Sequence, residues 1–541
     1  MEQQVFVRKV SGVIRNVPSV DCMIYGAVSA LYGTGAYLVW GSFMFPGANP
    51  WISIILSGIF AMVSLVGYAM LGSAMPRSGG EYVFQSRILT GIIGFVFVTN
   101  TYVIWNMYWS YGAALGTVYA GISPLLSYLG VVLNNQGLID LGLWMTDAWV
   151  IAGLCIVLLL IATVVLLRGT RLFFLFQRYF LMLFAGITLL IVLGLLLVTS
   201  REAYAANFNT FASSYMPPPA EGWYNGIINK AVGLGYNPYR EFSWWDTLGL
   251  GAVVYTWMMW SAIGVALFGE VKGANSLRSS VIILCGACAL NIIFFLVTMS
   301  GVMQVIGMPF LASLGFISFN APDMLPLPAF AYMPLPGYMV ISFLYLQPIV
   351  ALFLGLGFMS AVSQSLFNSP LGASRVMLAD AVDRLLPEQI SRVNKRGAPY
   401  VALIVVQVVA ILFAVTITLY PGLMGYLTAG AIGSQLVMVF TMLSAMLFPY
   451  SAKRIFEVSP SAKYKIAGLP LVSVIGAVGL VYCLVMTSYM IIVPEFGFRG
   501  TPVILFIAIY VGLFIYYYGA KWYRSRQGID VGLAFKEVPP A

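Results

Sequence analysis

Leu31-Tyr32-Gly33-Thr34-Gly35-Ala36-Tyr37 falls near the middle of an apolar run that extends from 20 to 45. Two glycines so close together are poor helix formers, so the run reads as a membrane helix interrupted at mid-depth. Trp260-Ser261-Ala262-Ile263-Gly264-Val265 interrupts a later apolar run, 247–270, in the same way. An unwound turn bares N–H and C=O groups that hydrocarbon cannot satisfy, so it must line a cavity or hold a ligand. The N-terminus of a half-helix favours an anion such as a carboxylate, and freed carbonyls favour an ammonium or a metal cation. Glycine also serves plain close packing between membrane helices. The matched placement of the two breaks, each in the first helix of a five-span unit, argues beyond packing and points to a ligand site at mid-bilayer.

Around these breaks, hydropathy gives twelve spans: 20–45, 51–72, 91–122, 148–167, 172–199, 247–270, 281–306, 341–366, 399–420, 422–449, 469–492 and 500–520. The 541 residues are 61% hydrophobic and 8% charged, where soluble domains carry about 25% charged residues. Such a chain has to present most of its surface to lipid, and it reads as an all-α integral membrane protein. Histidine is absent, which removes imidazole metal sites and histidine proton relays. With no long polar stretch, metal cluster or nucleophile–base pair in the spans, the chain is not expected to be an enzyme or to need an organic cofactor. Cys285 and Cys288 form a C-x-x-C inside an apolar helical run and read as small packing residues.

The formal charge of +9 is a topology signal. With the N-terminus inside, all but Arg201, Lys230, Arg240 and Arg499 of the 27 basic residues fall on the inner side, as the positive-inside rule requires. Both termini are therefore expected in the cytosol, and no nucleic-acid partner is expected. The chain divides into a cytosolic segment 1–19, a first unit 20–199, an outer loop 200–246, a second unit 247–449, two further helices in 450–520 and a cytosolic tail 521–541. The outer loops near 123–147, 200–246 and 307–340 read as lids or vestibule walls.

Four stretches resemble the amino acid–polyamine–organocation transporters. Ala74-Met75-Pro76-Arg77-Ser78-Gly79-Gly80-Glu81-Tyr82 is similar to the family's inner-loop signature after the second span, and Gly33-Thr34-Gly35 to its first-span break. Trp260 to Val265 resembles the sixth-span break, and Ser374-Arg375, Ala381, Asp383 and Leu386-Pro387 resemble the loop after the eighth span. The resemblance implies the inverted-repeat fold of the bacterial leucine transporter, with spans 1–5 and 6–10 related by a two-fold axis and two extra helices. It implies an amino-acid substrate held by Leu31, Tyr32, Gly33, Thr34 and Gly35 together with Trp260, Ser261, Ala262, Ile263 and Gly264. Backbone N–H groups of Thr34 and Gly35 would take the carboxylate, and carbonyls of Leu31, Trp260 and Ile263 the ammonium. Trp260 would gate the site, and Thr101, Trp105 and Trp109 of the third span would face it. A homodimer or a monomer in a multi-pass cell-membrane location fits the family.

Departures from the family pattern bear on specificity and coupling. Relatives that take cationic substrates carry a glutamate just after the sixth-span break, whereas Ala266-Leu267 stand here and the next acid is Glu270. A neutral amino acid is the expected substrate, because a buried ammonium without a partner costs several kcal/mol. The family's fifth-span lysine falls at Phe184, and Arg178 is expected to snorkel to the interface. Na⁺ or H⁺ is the expected coupling ion, with Ser365 as a candidate Na⁺ ligand that alternatively bonds its own helix, and Asp21 as a candidate proton carrier that alternatively serves the helix dipole. Glu270 with Lys272 and Arg278 reads either as an inner gate or as a solvated helix end. Symport, exchange and uniport all fit these residues, and so does a membrane sensor that binds an amino acid without moving it.

Overall fold

The computed structural model describes residues 12–31, 40–326, 347–420, 422–423 and 426–538. The Tyr32, Gly33, Thr34 and Gly35 stretch lies outside them. Among the described residues eleven helices are long and apolar enough to cross a bilayer. They match the second to twelfth spans expected from hydropathy. The first is described as α1, Ser19–Leu31.

Further elements follow in chain order. α2 is Pro50–Ala74, α3 Glu81–Ile88 and α4 Gly91–Val132. α5 is Ala148–Leu167, α6 Thr170–Val198, α7 Arg201–Ser213 and α8 Gly222–Gly233. α9 is Trp244–Leu267, α10 Leu277–Val305, α11 Met308–Asn320 and α12 Pro348–Val382. α13 is Tyr400–Leu419, α14 Tyr426–Ser451, α15 Leu471–Ile492 and α16 Thr501–Arg526. Local chemistry sets several starts. The Asn49 side chain accepts from the Ile52 N–H with Pro50 at the first helical position, and Ser243 caps Asp246 in the same way.

Two spans are longer than hydropathy suggests. α4 continues past 122 to Val132 through π-helical turns at Thr99–Trp105 and Val118–Ile122. α12 runs 35 residues, so Ser374-Arg375 and Ala381, expected in a loop, are helical. Polar residues end a hydropathy window, but here they are buried against other helices. Arg375 and Asp380 are almost fully enclosed by protein.

α1, α2, α9 and α10 pack together as a central bundle. The α1–α9 contact is close because both sides are small. A Cβ on Gly26 would lie 2.7 Å from the Ser261 carbonyl, and one on Gly264 would lie 2.9 Å from Cys22 Sγ. The long α12 lies along α4, α6 and α1, α14 packs on α15, and α16 is the most peripheral span. Loop 200–246 folds into α7 and α8, which join α11 on one face of the bundle. There Tyr224 stacks on Phe310 at 4.5 Å and Tyr236 on Phe316 at 4.5 Å. On the opposite face a two-residue turn, Ala467-Gly468, joins strands β1 (Lys465–Ile466) and β2 (Leu469–Pro470). Cys285 and Cys288 are free and buried, as packing residues should be.

Candidate functional site

Where α1, α4, α9 and α12 converge, a narrow cavity lies between them. Its apolar wall is four indoles, Trp105 and Trp109 of α4 and Trp257 and Trp260 of α9, with Ile263. Trp105 and Trp109 sit one turn apart and their rings are parallel at 5.8 Å. Trp257 meets Trp109 at 6.0 Å. Its polar wall is Ser29 of α1, Asn106 of α4 and Ser365, Asn368 and Ser369 of α12. No ionisable side chain lines it among the described residues.

A chain of neutral hydrogen bonds fixes the polar wall. Gln177 of α6 donates to the Asp21 carbonyl at 3.1 Å, and Gln364 donates to Gln177 Oε1 at 2.7 Å and to Asn368 Oδ1 at 2.9 Å. Asn368 in turn donates to Ser29 Oγ at 2.6 Å, and Tyr25 donates to the Asn368 carbonyl at 2.9 Å. These bonds tie α1, α6 and α12 into one polar unit without burying a charge.

A second narrow cavity lies on the other side of Trp260. Trp260 lines both. The second is bounded by Thr101 and Tyr102 of α4, Ala262 of α9, Ser434 of α14, Tyr68 of α2 and Glu81 of α3. Glu81 is 2% exposed, and its Oε1 accepts from the Tyr68 and Thr441 hydroxyls. The Tyr102 hydroxyl also interacts with the carboxyl. Glu81 stands in the connection between the spans α2 and α4. Burial pushes its carboxyl up to about 7 against the opposing pull of the Tyr102, Tyr68 and Thr441 hydroxyls.

The face opposite α7, α8 and α11 is held by ion pairs. Glu270 and Arg375 form a two-pronged pair, Nε to Oε1 at 2.7 Å and Nη2 to Oε2 at 3.3 Å, with both side chains 1% exposed. Arg87 pairs with Asp383 at 2.6 Å, and Tyr82 donates to the same oxygen at 2.8 Å. Arg178 grips both oxygens of Asp21 at 2.7 Å while remaining half exposed. The chain before α1 is stitched to the end of α9 by Val17 N–H to the Glu270 carbonyl and Lys272 N–H to the Val17 carbonyl.

Ser78-Gly79-Gly80-Glu81 threads between these elements, which explains its glycines. Gly79 and Gly80 have φ of 95° and 41°, where L side chains are strained. A Cβ on Gly80 would lie 2.7 Å from the Val265 carbonyl carbon, and Gly79 donates to the Ala266 carbonyl. The loop thus pins α9 at its narrowest point and delivers Glu81 behind Trp260.

The sequence profile described as amino acid permease matches residues 16–514, nearly the whole chain. The protein belongs to the amino acid permease family. That family is part of the amino acid–polyamine–organocation superfamily and points to a multi-pass membrane transporter for amino acids. No curated protein matches the chain.

In the permease, the expected site residues divide among three places. Trp105, Trp109, Trp260, Ile263 and Ser365 meet at the first cavity. Thr101 and Ala262 line the second, where the Thr101 hydroxyl has no partner. Ser261 and Gly264 face neither cavity among the described residues. Ser261 Oγ accepts from Asn291 at 3.3 Å, and Gly264 packs on Cys22. Leu31 closes the described part of α1. The sixth-span break is a tightened 3₁₀ stretch, Trp260–Leu267, continuous with the α-helix before it. Ala266 is buried under Gly79 and away from the first cavity, so its identity does not set the cavity's charge. Glu270 takes Arg375 as partner in place of Lys272, which contributes its backbone. Arg178 reaches Asp21 in addition to the interface. Sequence reasoning missed Trp257, Ser29, Asn106 and Asn368 at the first cavity, and Glu81 at the second. Asn106 and Asn368 carry a visible signal, a polar amide in an apolar span.

Proposed function

We propose that the permease moves a neutral amino acid, apolar or aromatic, between outward- and inward-open states, with the first cavity as the substrate site. The carrying observation is a cavity of indoles and neutral amides and hydroxyls, with no charged side chain among its described lining. Indole walls suit an apolar or aromatic side chain. A cationic or anionic side chain would be desolvated there without a counter-charge. The zwitterionic end is assigned to the α9 segment from Trp260 to Ile263 at the cavity and, on the family resemblance alone, to the Gly33-Thr34-Gly35 motif. The ion-paired face, with both chain termini, is assigned to the cytosol on the distribution of basic residues. Closure of that face by Glu270–Arg375 makes this an inward-closed arrangement.

Purified permease in proteoliposomes, tested with a panel of radiolabelled amino acids, checks this reading. Uptake of a neutral amino acid, with lysine, arginine and glutamate failing to compete, is the expected outcome. Best uptake of a cationic amino acid would overturn the neutral assignment. Binding without flux would make the protein a sensor.

A further inference from the structure

We propose that Glu81 is the proton-binding group that couples this permease to a pH gradient, an inference that rests on the transport reading above. Four observations carry it. Glu81 is enclosed by protein and lines a cavity. Its only hydrogen-bonding neighbours among the described residues are the Tyr68, Tyr102 and Thr441 hydroxyls. Among the described residues no basic side chain pairs with it, whereas Glu270, Asp383 and Asp21 are each paired. Finally, its cavity and the substrate cavity are separated by one side chain, Trp260.

The groups facing Glu81 are all neutral. α2 and α4 bring the Tyr68 and Tyr102 phenols, and α9 and α14 bring Trp260, Ala262, Ser434 and Thr441. Of the nearby charged groups, Arg87 pairs with Asp383, and Asp380 accepts from the Thr99 hydroxyl. A dry, uncompensated carboxylate favours its protonated form. Burial brings this carboxyl to about 7, so near neutral pH it gains or loses its proton with small changes in hydration.

The coupling step is a proton exchange with water. In the inward-closed arrangement Glu81 holds a proton as the neutral acid. Substrate in the first cavity bears on the Trp260 indole, and displacement of that ring admits water to the second cavity. The hydrated carboxyl returns toward its ordinary value and releases the proton to that water on the cytosolic side. Re-entry to the closed arrangement needs a proton again, taken from the outer side when the outer path is hydrated. Each state thus differs in proton affinity, which is the requirement for coupling.

Two measurements test this with Glu81→Gln, which keeps shape but cannot ionise. In proteoliposomes given an equimolar mixture of radiolabelled amino acids in the outer medium, an imposed acid-outside gradient should drive at least tenfold accumulation in the native permease. Glu81→Gln should lose that accumulation yet retain measurable, pH-independent exchange. Equal gradient-driven accumulation by the variant overturns the proposal. Native flux that ignores the gradient overturns it too, while leaving transport intact. Absence of any binding or flux in the native protein instead sinks the transport reading. Infrared difference spectra between about pH 6 and about pH 8 are independent of flux. A protonated-carboxyl band should disappear on raising pH in the native permease and be missing from the variant. An unchanged band in the variant overturns the proposal.

Discussion

The ion-paired face and the two cavities behind it handle buried polarity in opposite ways. At the face, Glu270, Asp383 and Asp21 each meet an arginine, while the buried Asp380 accepts from the Thr99 hydroxyl. In the bundle interior the polar groups are amides and hydroxyls, and the single acid there among the cavity-lining residues, Glu81, has no cation. Paired charges make a rigid latch whose opening must separate ions in a low-dielectric setting. Neutral groups make a wall that can exchange a protein partner for a ligand at little cost. The contrast separates the part that holds one state closed from the part that binds.

The first way to break this comparison is Arg375→Ala. Removing one partner of a fully buried pair leaves an uncompensated carboxylate, which costs about 3–5 kcal/mol. Thermal unfolding in detergent should show a large drop, and Arg375→Ala with Glu270→Gln should recover part of it. Equal stability of Arg375→Ala and native protein would mean that the latch carries no load. Next comes the pH dependence of Glu81. Its carboxyl is raised when folded, so its stabilising contribution is fully present below its ordinary value and is lost as pH rises through about 7. Relative to Glu81→Gln, the native protein should lose up to about 3 kcal/mol across that window. Parallel melting profiles would show that water already reaches the carboxyl.

The amount legible in the sequence follows the same division. Hydropathy located eleven described helices, because lipid forces long apolar runs to be helices. Trp105, Trp109, Trp260 and Ile263 follow from the family resemblance, and i,i+4 spacing adds only that the two tryptophans of α4 share a face. Other features depend on what a neighbouring helix supplies. Helical pattern cannot tell that Glu270 meets Arg375, 105 positions away, in preference to Lys272 two positions away. The helical extension of α12 was hidden because its polar residues look solvated until partners on α3 and at the end of α9 are known. Glu81 read as part of a loop signature. Its burial arises from the two glycines that let the loop enter the bundle.

A smaller effect is expected from Gly430→Ala on α14. A Cβ there would overlap the six-membered ring of Trp105, so the indole must move toward the cavity at about 1–3 kcal/mol. The expected signature is a modest fall in melting temperature with a disproportionate loss of substrate-induced stabilisation, since the displaced ring takes ligand volume. A fall in melting temperature alone, with ligand stabilisation retained, would show that the indole wall yields without narrowing the site.

Asp21→Asn should have the smallest effect and distinguishes two kinds of ion pair on one face. Asp21 is buried, but Arg178 is 47% exposed, so water and salt already screen the cation. The Asp21 carbonyl keeps its bond from Gln177 in the variant, and the polar chain to Ser29 stays anchored. The loss in melting temperature should therefore be slight and should shrink further as ionic strength rises. The loss in Arg375→Ala should persist at the same salt, because its partner is shielded from ions by protein. If both variants respond to salt alike, the Glu270–Arg375 pair is reached by solvent in the working protein. The latch would then be breathing open far more often than its enclosure implies.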